Sequence, residues 1–229
     1  RCGMEKIDDK SKKRYINILR RNFLFDQADD FPKEKLLNDE RAEWLSFEKG
    51  ETIYGYDDYK NSLGIILKGR VSVKKDRTRG ILFNTLKAGD AFGGAVLFGK
   101  GPFIADIVSK SRSDIVFISS DLMRELMASS DKINMNYIEY LTASLAFLNE
   151  RLDIFSAGGA EERTLRYLNI KCRQTEDGCY MADGMSMTDL AEYLLVGRAT
   201  LYRILSEFEQ KGIIRKDGRK IYLIKGETI

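Results

Sequence analysis

The stretch Ser186–Lys225, reading SMTDLAEYLLVGRATLYRILSEFEQKGIIRKDGRKIYLIK, constrains what this chain can fold into more than any other part of it. Ser186 can cap a helix, and Asp189, three residues on, supplies the acidic partner of a capping box. Leu190, Ala191 and Leu194 then form one apolar face, with Ala191 small where a second helix must cross closely. Val196-Gly197 breaks the pattern, and Gly197 serves as the N-cap of the next helix. That helix carries Leu201, Ile204, Leu205 and Phe208 at 3.6-type spacing, which predicts a buried stripe. Its opposite face carries Arg198, Thr200, Tyr202 and Arg203. Beyond it, Ile213-Ile214 and Ile221–Ile224 read as two short strands around the hairpin signal Asp217-Gly218. A short helix, a tight turn, a longer helix and a hairpin follow one another.

Charge agrees with that pattern. Residues 197–225 hold eight cations (Arg198, Arg203, Lys211, Arg215, Lys216, Arg219, Lys220, Lys225) against Glu207, Glu209 and Asp217, while the whole chain is only +3. Positive charge concentrated on one segment matters more than the total. A helix that buries one side and offers arginines from its first turns suits a DNA major groove, and a basic hairpin suits the phosphates beside it. The expected DNA contacts are Ser186, Arg198, Ala199, Thr200, Tyr202 and Arg203 on the helices, and Arg215, Lys216, Arg219 and Lys220 on the hairpin. The rival reading is a signalling module whose C-terminal domain docks a protein.

At 229 residues the chain is long enough for two modest domains. No apolar run reaches the length of a membrane span and no signal-peptide pattern opens the chain, so a soluble, cytoplasmic protein with no membrane partner is expected. The sequence contains 0 histidines, which argues against His-based triads, imidazole-ligated zinc and axial-His haem. Cys2, Cys172 and Cys179 fit no metal-ligand spacing and too sparse a pattern for a disulfide framework. No nucleophile–base pair or paired-carboxylate arrangement emerges either. A binding protein rather than an enzyme is the expectation, with no metal site.

Upstream the texture divides. Residues 5–38 are polar with scattered apolar positions and predict short helices and loops. From about Trp44, short apolar runs alternate with Gly- and Asp-bearing breaks: Glu51–Tyr54, Ser62–Leu67, Arg70–Lys74, Gly80–Leu86, Ala105–Val108 and Ile115–Ser119. Many short strands at close spacing predict a small sandwich or barrel-like roll. Asp121–Ala128 returns to helix, as does the long segment Asp131–Phe155. In the latter, Ile138, Leu141, Leu145, Leu148, Leu152 and Phe155 step by 3, 4, 3, 4 and 3, a heptad seam with Asn136, Glu139, Thr142, Asn149, Glu150 and Asp153 on its flanks. So narrow a seam on so long a helix predicts a partner helix and hence a homodimer. Ser156–Ala160, with its paired glycines, is the expected hinge. A further helix, Glu161–Arg173, opens the second domain, and Cys179–Met181 reads as a strand.

A β-roll, a long dimerising helix, a hinge and a winged helix-turn-helix, in this order, resemble the Crp/Fnr family of transcription regulators. The resemblance spans Trp44 to Ile224. It is carried by Phe47–Tyr54 (FEKGETIY), Ile65–Val71 (IILKGRV), Gly89–Gly93 (GDAFG) and Gly197–Leu205 (GRATLYRIL). It implies an α+β chain: a double-stranded β-helix, jelly-roll-like sensor domain over 1–130, a dimerisation helix over 131–155, a hinge over 156–160 and a winged helix-turn-helix over 161–229. It further implies double-stranded DNA as partner, a pseudo-palindromic operator, and RNA polymerase as a candidate further partner.

Family analogy puts Arg198 and Arg203 at base edges and Thr200 near a phosphate. Ala199 stands where the family commonly has a Glu, so the half-site should differ from that of the cAMP receptor protein. Leu195 stands where the turn often has Gly, which predicts a differently shaped turn. Cyclic-nucleotide-binding relatives hold the ribose with a Glu after the cassette Gly, and the phosphate with an Arg-Ser/Thr pair. This chain has Gly93-Gly94 and Ile104-Ala105 at and near those places, so neither cAMP nor cGMP is expected to bind. Haem and an iron–sulfur cluster are disfavoured by the missing histidine and the sparse cysteines. Phe92, Gly93, Gly94, Phe103, Ile104 and Ala105 would line a site for some other small molecule, or a pocket filled by its own side chains.

Overall fold

Short alternating apolar runs build two facing antiparallel sheets in the N-terminal half of the chain. The computed structural model describes residues 5–55, 61–75, 81–99, 105–175, 178–180, 186–217 and 220–224. They fall into two compact units that divide at Leu145/Ala146, inside a helix. In the first unit the order is β1 (Glu5–Lys6), α1 (Asp9–Leu19), α2 (Lys33–Asn38), β2 (Ala42–Phe47), β3 (Thr52–Tyr54), β4 (Ser62–Lys68), β5 (Arg70–Lys75), β6 (Ile81–Lys87), β7 (Ala91–Phe92), a 3₁₀ turn (Gly94–Val96), β8 (Asp106–Ser109), β9 (Ser113–Ser119), α3 (Ser120–Ser129) and the start of α4 (Asp131–Ser156).

One sheet runs β1-β2-β9-β4-β7 and the other β3-β8-β5-β6. Sidedness along the strands separates two cores. Leu63, Ile65 and Leu67 of β4, with Val116 and Ile118 of β9, face α1, α2, α3 and the first turns of α4. Ile66 of β4, with Ile115 and Phe117 of β9, faces the second sheet and packs with Phe47, Tyr54 and Phe92. Strands covered on both faces lose the polar half of the alternation, which is why β4 and β9 read as continuous apolar runs. β2 lay just upstream of the runs read as strands. It pairs along β9 from Ala42↔Ile118 to Phe47↔Ser113, and Trp44 at its centre donates its indole N–H to the Leu36 carbonyl at 2.9 Å. A buried polar link ties α1 to this sheet, with Tyr15 Oη and Ser46 Oγ both donating to the Asp114 carboxylate.

In the second unit come the end of α4, then α5 (Ala160–Lys171), β10 (Arg173–Thr175), β11 (Gly178–Tyr180), α6 (Met187–Leu194), α7 (Arg198–Gln210), β12 (Ile214–Asp217) and β13 (Lys220–Leu223). The strands form one antiparallel sheet in the order β10-β11-β13-β12. Leu165, Leu168, Leu190, Leu194, Leu201, Ile204, Leu205 and Phe208 bury a common core with Ile154 of α4 and Ile214 and Ile221 of the hairpin.

Three local expectations need correction. Ser156 ends α4 and Ala160 begins α5, so the break narrows to Ala157–Gly159, where the Gly158 amide donates to Glu162 Oε2 at 2.8 Å. Arg173 starts β10 rather than ending a helix, because Cys172 turns extended at the C-cap of α5. Asn136, read as a wet flank of the seam, is buried, its amide donating to the carbonyls of Leu24 (3.1 Å) and Asp26 (2.9 Å).

Candidate nucleic-acid interface and effector turn

α6 and α7 are placed by the capping chemistry their sequence carries. Ser186 Oγ accepts from the Asp189 amide at 3.1 Å to start α6, and Gly197, extended at φ −65° and ψ 144°, caps α7. Between them Leu195 adopts the left-handed conformation, φ 55° and ψ 46°, and the Val196 amide donates back to the Ala191 carbonyl at 3.0 Å. The turn thus keeps the shape that glycine would provide, correcting the expectation of a different one. A branched residue held there costs on the order of 1 kcal/mol.

With Leu201, Ile204, Leu205 and Phe208 buried, the opposite side of α7 is fixed by helical geometry: Arg198, Ala199, Tyr202, Arg203 and Ser206 are exposed, and Thr200 is half-buried. Ser206 escaped the sequence reading, although it lies three and four residues after Arg203 and Tyr202 on the same face. Arg203 Nη1 donates to Glu207 Oε1 at 2.5 Å. In the hairpin, Arg215 lies across the strands from Tyr222 and its guanidinium stacks 4.8 Å from that ring. Lys216 is committed to α7: its Nζ sits 2.9 Å from Glu209 Oε2, and its amide donates to Glu209 Oε1 at 3.1 Å. The Lys216 contact holds the Glu209 carboxyl below its ordinary range. Lys220 is exposed, opposite Asp217. Arg219 lies outside the described residues, as does Gly218.

The end of α4 is anchored in this unit by a residue that the heptad reading passed over. Arg151 is buried, with its guanidinium 3.7 Å from the Tyr193 ring and 4.5 Å from that of Phe155, and Nη1 donating to the Tyr193 carbonyl at 2.9 Å. Burial pulls its pKa down. Phe155 is half-buried. Leu148 is half-buried too, and Leu141 packs on the first unit's core. Of the expected seam, Ile138, Leu145 and Leu152 stand free, at 51%, 61% and 69% exposed, and Met135 joins them on the same helical face.

Around Gly93-Gly94, the other expected site, the described residues pack against the turn. Phe92 is buried in the roll, its ring centroid 5.8 Å from Tyr54 and 6.0 Å from Phe117. The ring also covers Gly64, where a Cβ would lie 2.3 Å from Phe92 Cζ. Gly93 takes a left-handed φ of 82° to start the 3₁₀ turn. Gly94 then meets α4. Tyr137 Oη donates to the Gly94 carbonyl at 2.7 Å, and the Gly94 amide hydrogen-bonds to Tyr140. A Cβ on Gly94 would lie 2.4 Å from Tyr140 Cε1, so no side chain fits unless that ring moves. Phe23 stacks on Tyr140 at 4.9 Å, and Phe98 lies edge-on to Tyr137 at 5.7 Å. Burial pushes the Tyr137 phenol up to about 12 and raises that of Tyr140. Ala105 is buried, while Phe103 and Ile104 lie outside the described residues. The sequence marked the glycine pair as unusual, but nothing local to it named Tyr140 as the cause.

Among the described residues no group of His, Cys, Asp or Glu is placed to hold a metal, and no helix is long and apolar enough to cross a membrane. A family model described as a cyclic nucleotide-binding domain matches residues 44–130, and one described as a Crp-like helix-turn-helix domain matches residues 162–227. A CRP-like cAMP-activated global transcriptional regulator of Mycobacterium tuberculosis is 22% identical over 191 residues, covering 81% of this chain and 85% of that protein. Among solved structures, a mutant of CooA from Carboxydothermus hydrogenoformans matches with a TM-score of 0.67 at 18% identity, over 84% of this chain and 90% of that one. The c-di-GMP responsive global regulator CLP of Xanthomonas campestris matches at 0.57 and 15% identity, over 81% of this chain and 95% of that one. At such identities the structural likeness establishes the fold alone.

Proposed function

This chain belongs to the Crp/Fnr family of transcription regulators, and from that premise we propose that it acts as a homodimer, reading a pseudo-palindromic operator without cAMP as its effector. The observation that carries the DNA reading is the exposed face of α7. Its buried stripe is locked into the second unit's core, and Arg198, Tyr202 and Arg203 are left in solvent beside a basic hairpin. Arginine can donate two parallel hydrogen bonds to guanine O6 and N7, while Ala199 offers only apolar contact, such as to a thymine methyl. The operator is therefore expected to differ at the position read by the family's usual glutamate. The protein acts by binding rather than catalysis, in the cytoplasm where its DNA lies, with RNA polymerase as the further partner that transcription control requires.

Support for the dimer comes from Ile138, Leu145 and Leu152, three large apolar side chains at heptad spacing that their own chain leaves exposed. A two-fold pair of such helices sets two recognition helices on half-sites about one turn of DNA apart. The effector reading is supported by Gly94. A ribose-binding glutamate has no room there, since Tyr140 already occupies the space its Cβ would need.

The test is selection of duplexes from a randomised pool by the full-length chain, followed by affinity against salt concentration. Enrichment of a two-fold symmetric sequence, bound with a steep salt dependence, is the expected result. No enrichment, with capture of a protein by the C-terminal unit instead, would favour the rival docking role. Calorimetry with cAMP should give no binding heat; micromolar binding would overturn the effector reading.

A further inference from the structure

The contact between Arg203 and Glu207 lies beside the face that we propose reads DNA. The carboxylate sits one turn beyond the arginine, its backbone held between the buried residues Ile204, Leu205 and Phe208. The two side chains are 63% and 35% exposed, so the anchor is the more sheltered partner and the arginine reaches outward from it. Placing Arg before Glu at i,i+4 is the weaker order for helix stability, so the pair has little to offer the folded state by itself. It does restrict the guanidinium. Of five N–H donors, one on Nη1 goes to Glu207, leaving the Nε and Nη2 edge free to present two parallel donors to a base. The sequence supplies no carboxylate at Ala199 to do the same from the preceding turn.

We propose that Glu207 is a positioning residue that fixes Arg203 for base readout and so sets how sharply this chain discriminates among DNA sequences. The proposal rests on the DNA reading of α7 given above. Two effects act together. A held guanidinium reaches guanine O6 and N7 in one register, whereas a free one follows the nearest phosphate. The carboxylate also offsets one positive charge near the DNA, which weakens contacts that depend on phosphate alone.

The full-length chain and its Glu207→Gln, Glu207→Asp and Arg203→Ala variants would be titrated at one salt concentration with two kinds of duplex. One is the sequence that the wild-type chain recovers from a randomised pool, together with its single base-pair variants; the other is an unselected duplex. Glu207→Gln is expected to bind the unselected duplex more tightly and to lose roughly tenfold in the selected-to-unselected ratio. The loss should fall on the base pair that Arg203→Ala also relaxes. Glu207→Asp keeps the charge but is one methylene short of the contact, so it should lose discrimination at the same pair. In the Arg203→Ala background, Glu207→Gln should add no further loss there. Unchanged discrimination in the Gln variant, or wild-type discrimination in the Asp variant, overturns the positioning role. Failure of the wild-type chain to recover any sequence overturns the DNA reading itself, and the proposal with it, and is distinguishable because no variant is needed to see it. Circular dichroism of each variant separates these outcomes from misfolding.

Discussion

α7 and the turn that starts at Gly93 invite comparison, since each follows a glycine cap. In α7 one side is sealed by Leu201, Ile204, Leu205 and Phe208, and the other is left to solvent with arginines on it. At the turn both sides are spoken for, by Phe92 within the roll and by Tyr137 and Tyr140 of α4. The difference teaches that one chain can leave a helix face open to solvent while a glycine turn is packed on by aromatic rings. Packing is what decides between them, because a Cβ on Gly94 would meet Tyr140 whereas the outer face of α7 meets none of the core.

Gly94→Glu is the most severe way to break this comparison. If the turn is closed, a carboxylate driven against Tyr140 should destabilise the first unit by roughly 3 kcal/mol, read as a lower denaturant midpoint, and Tyr140→Ala in the same chain should recover part of it. An unchanged midpoint would mean that the turn has room after all. On the output side, Arg203→Ala should weaken binding to a selected operator by roughly 1–3 kcal/mol and relax one base position, measured by mobility shift.

Smaller effects sharpen the contrast within the open surface. Lys220→Ala should lower affinity for all duplexes and reduce the magnitude of the salt slope by about 1. Lys216→Ala should change that slope less, because its ammonium is already matched by Glu209. Equal slopes would show that Lys216 leaves Glu209 when DNA arrives. Leu195→Gly should raise the stability of the second unit by up to about 1 kcal/mol, by removing left-handed strain at an exposed position. A loss of stability there would assign Leu195 a packing role.

Much of the output domain could be read from its residues. Ser186 and Gly197 cap the helices expected of them, and the apolar steps from Leu201 to Phe208 all point into one core. Such signals are local, set by backbone geometry within a few residues. The roll was legible as a class, with six of its described strands beginning within two residues of the start of an expected apolar run, yet β2 escaped because its Trp44 and Leu45 read as the edge of a change in texture. The seam on α4 was half legible. Its period is local, but only contacts with other elements reveal that Leu141, Leu148 and Phe155 are partly covered while Ile138, Leu145 and Leu152 are not.

By itself, the sequence determined the order of the elements, the helix-turn-helix with its basic hairpin, and the glycine pair Gly93-Gly94 that leaves the start of the turn without side chains. Those features depend on periodicity, caps and residue identity, which act over one or two turns of chain. Only the tertiary structure decided that Tyr140 is what Gly94 makes room for, that Arg151 is buried against Tyr193, and that Glu209 holds Lys216. Tyr140 with Gly94, Arg151 with Tyr193, and Glu209 with Lys216 each join residues on different elements, and such contacts exist only once packing has brought the elements together.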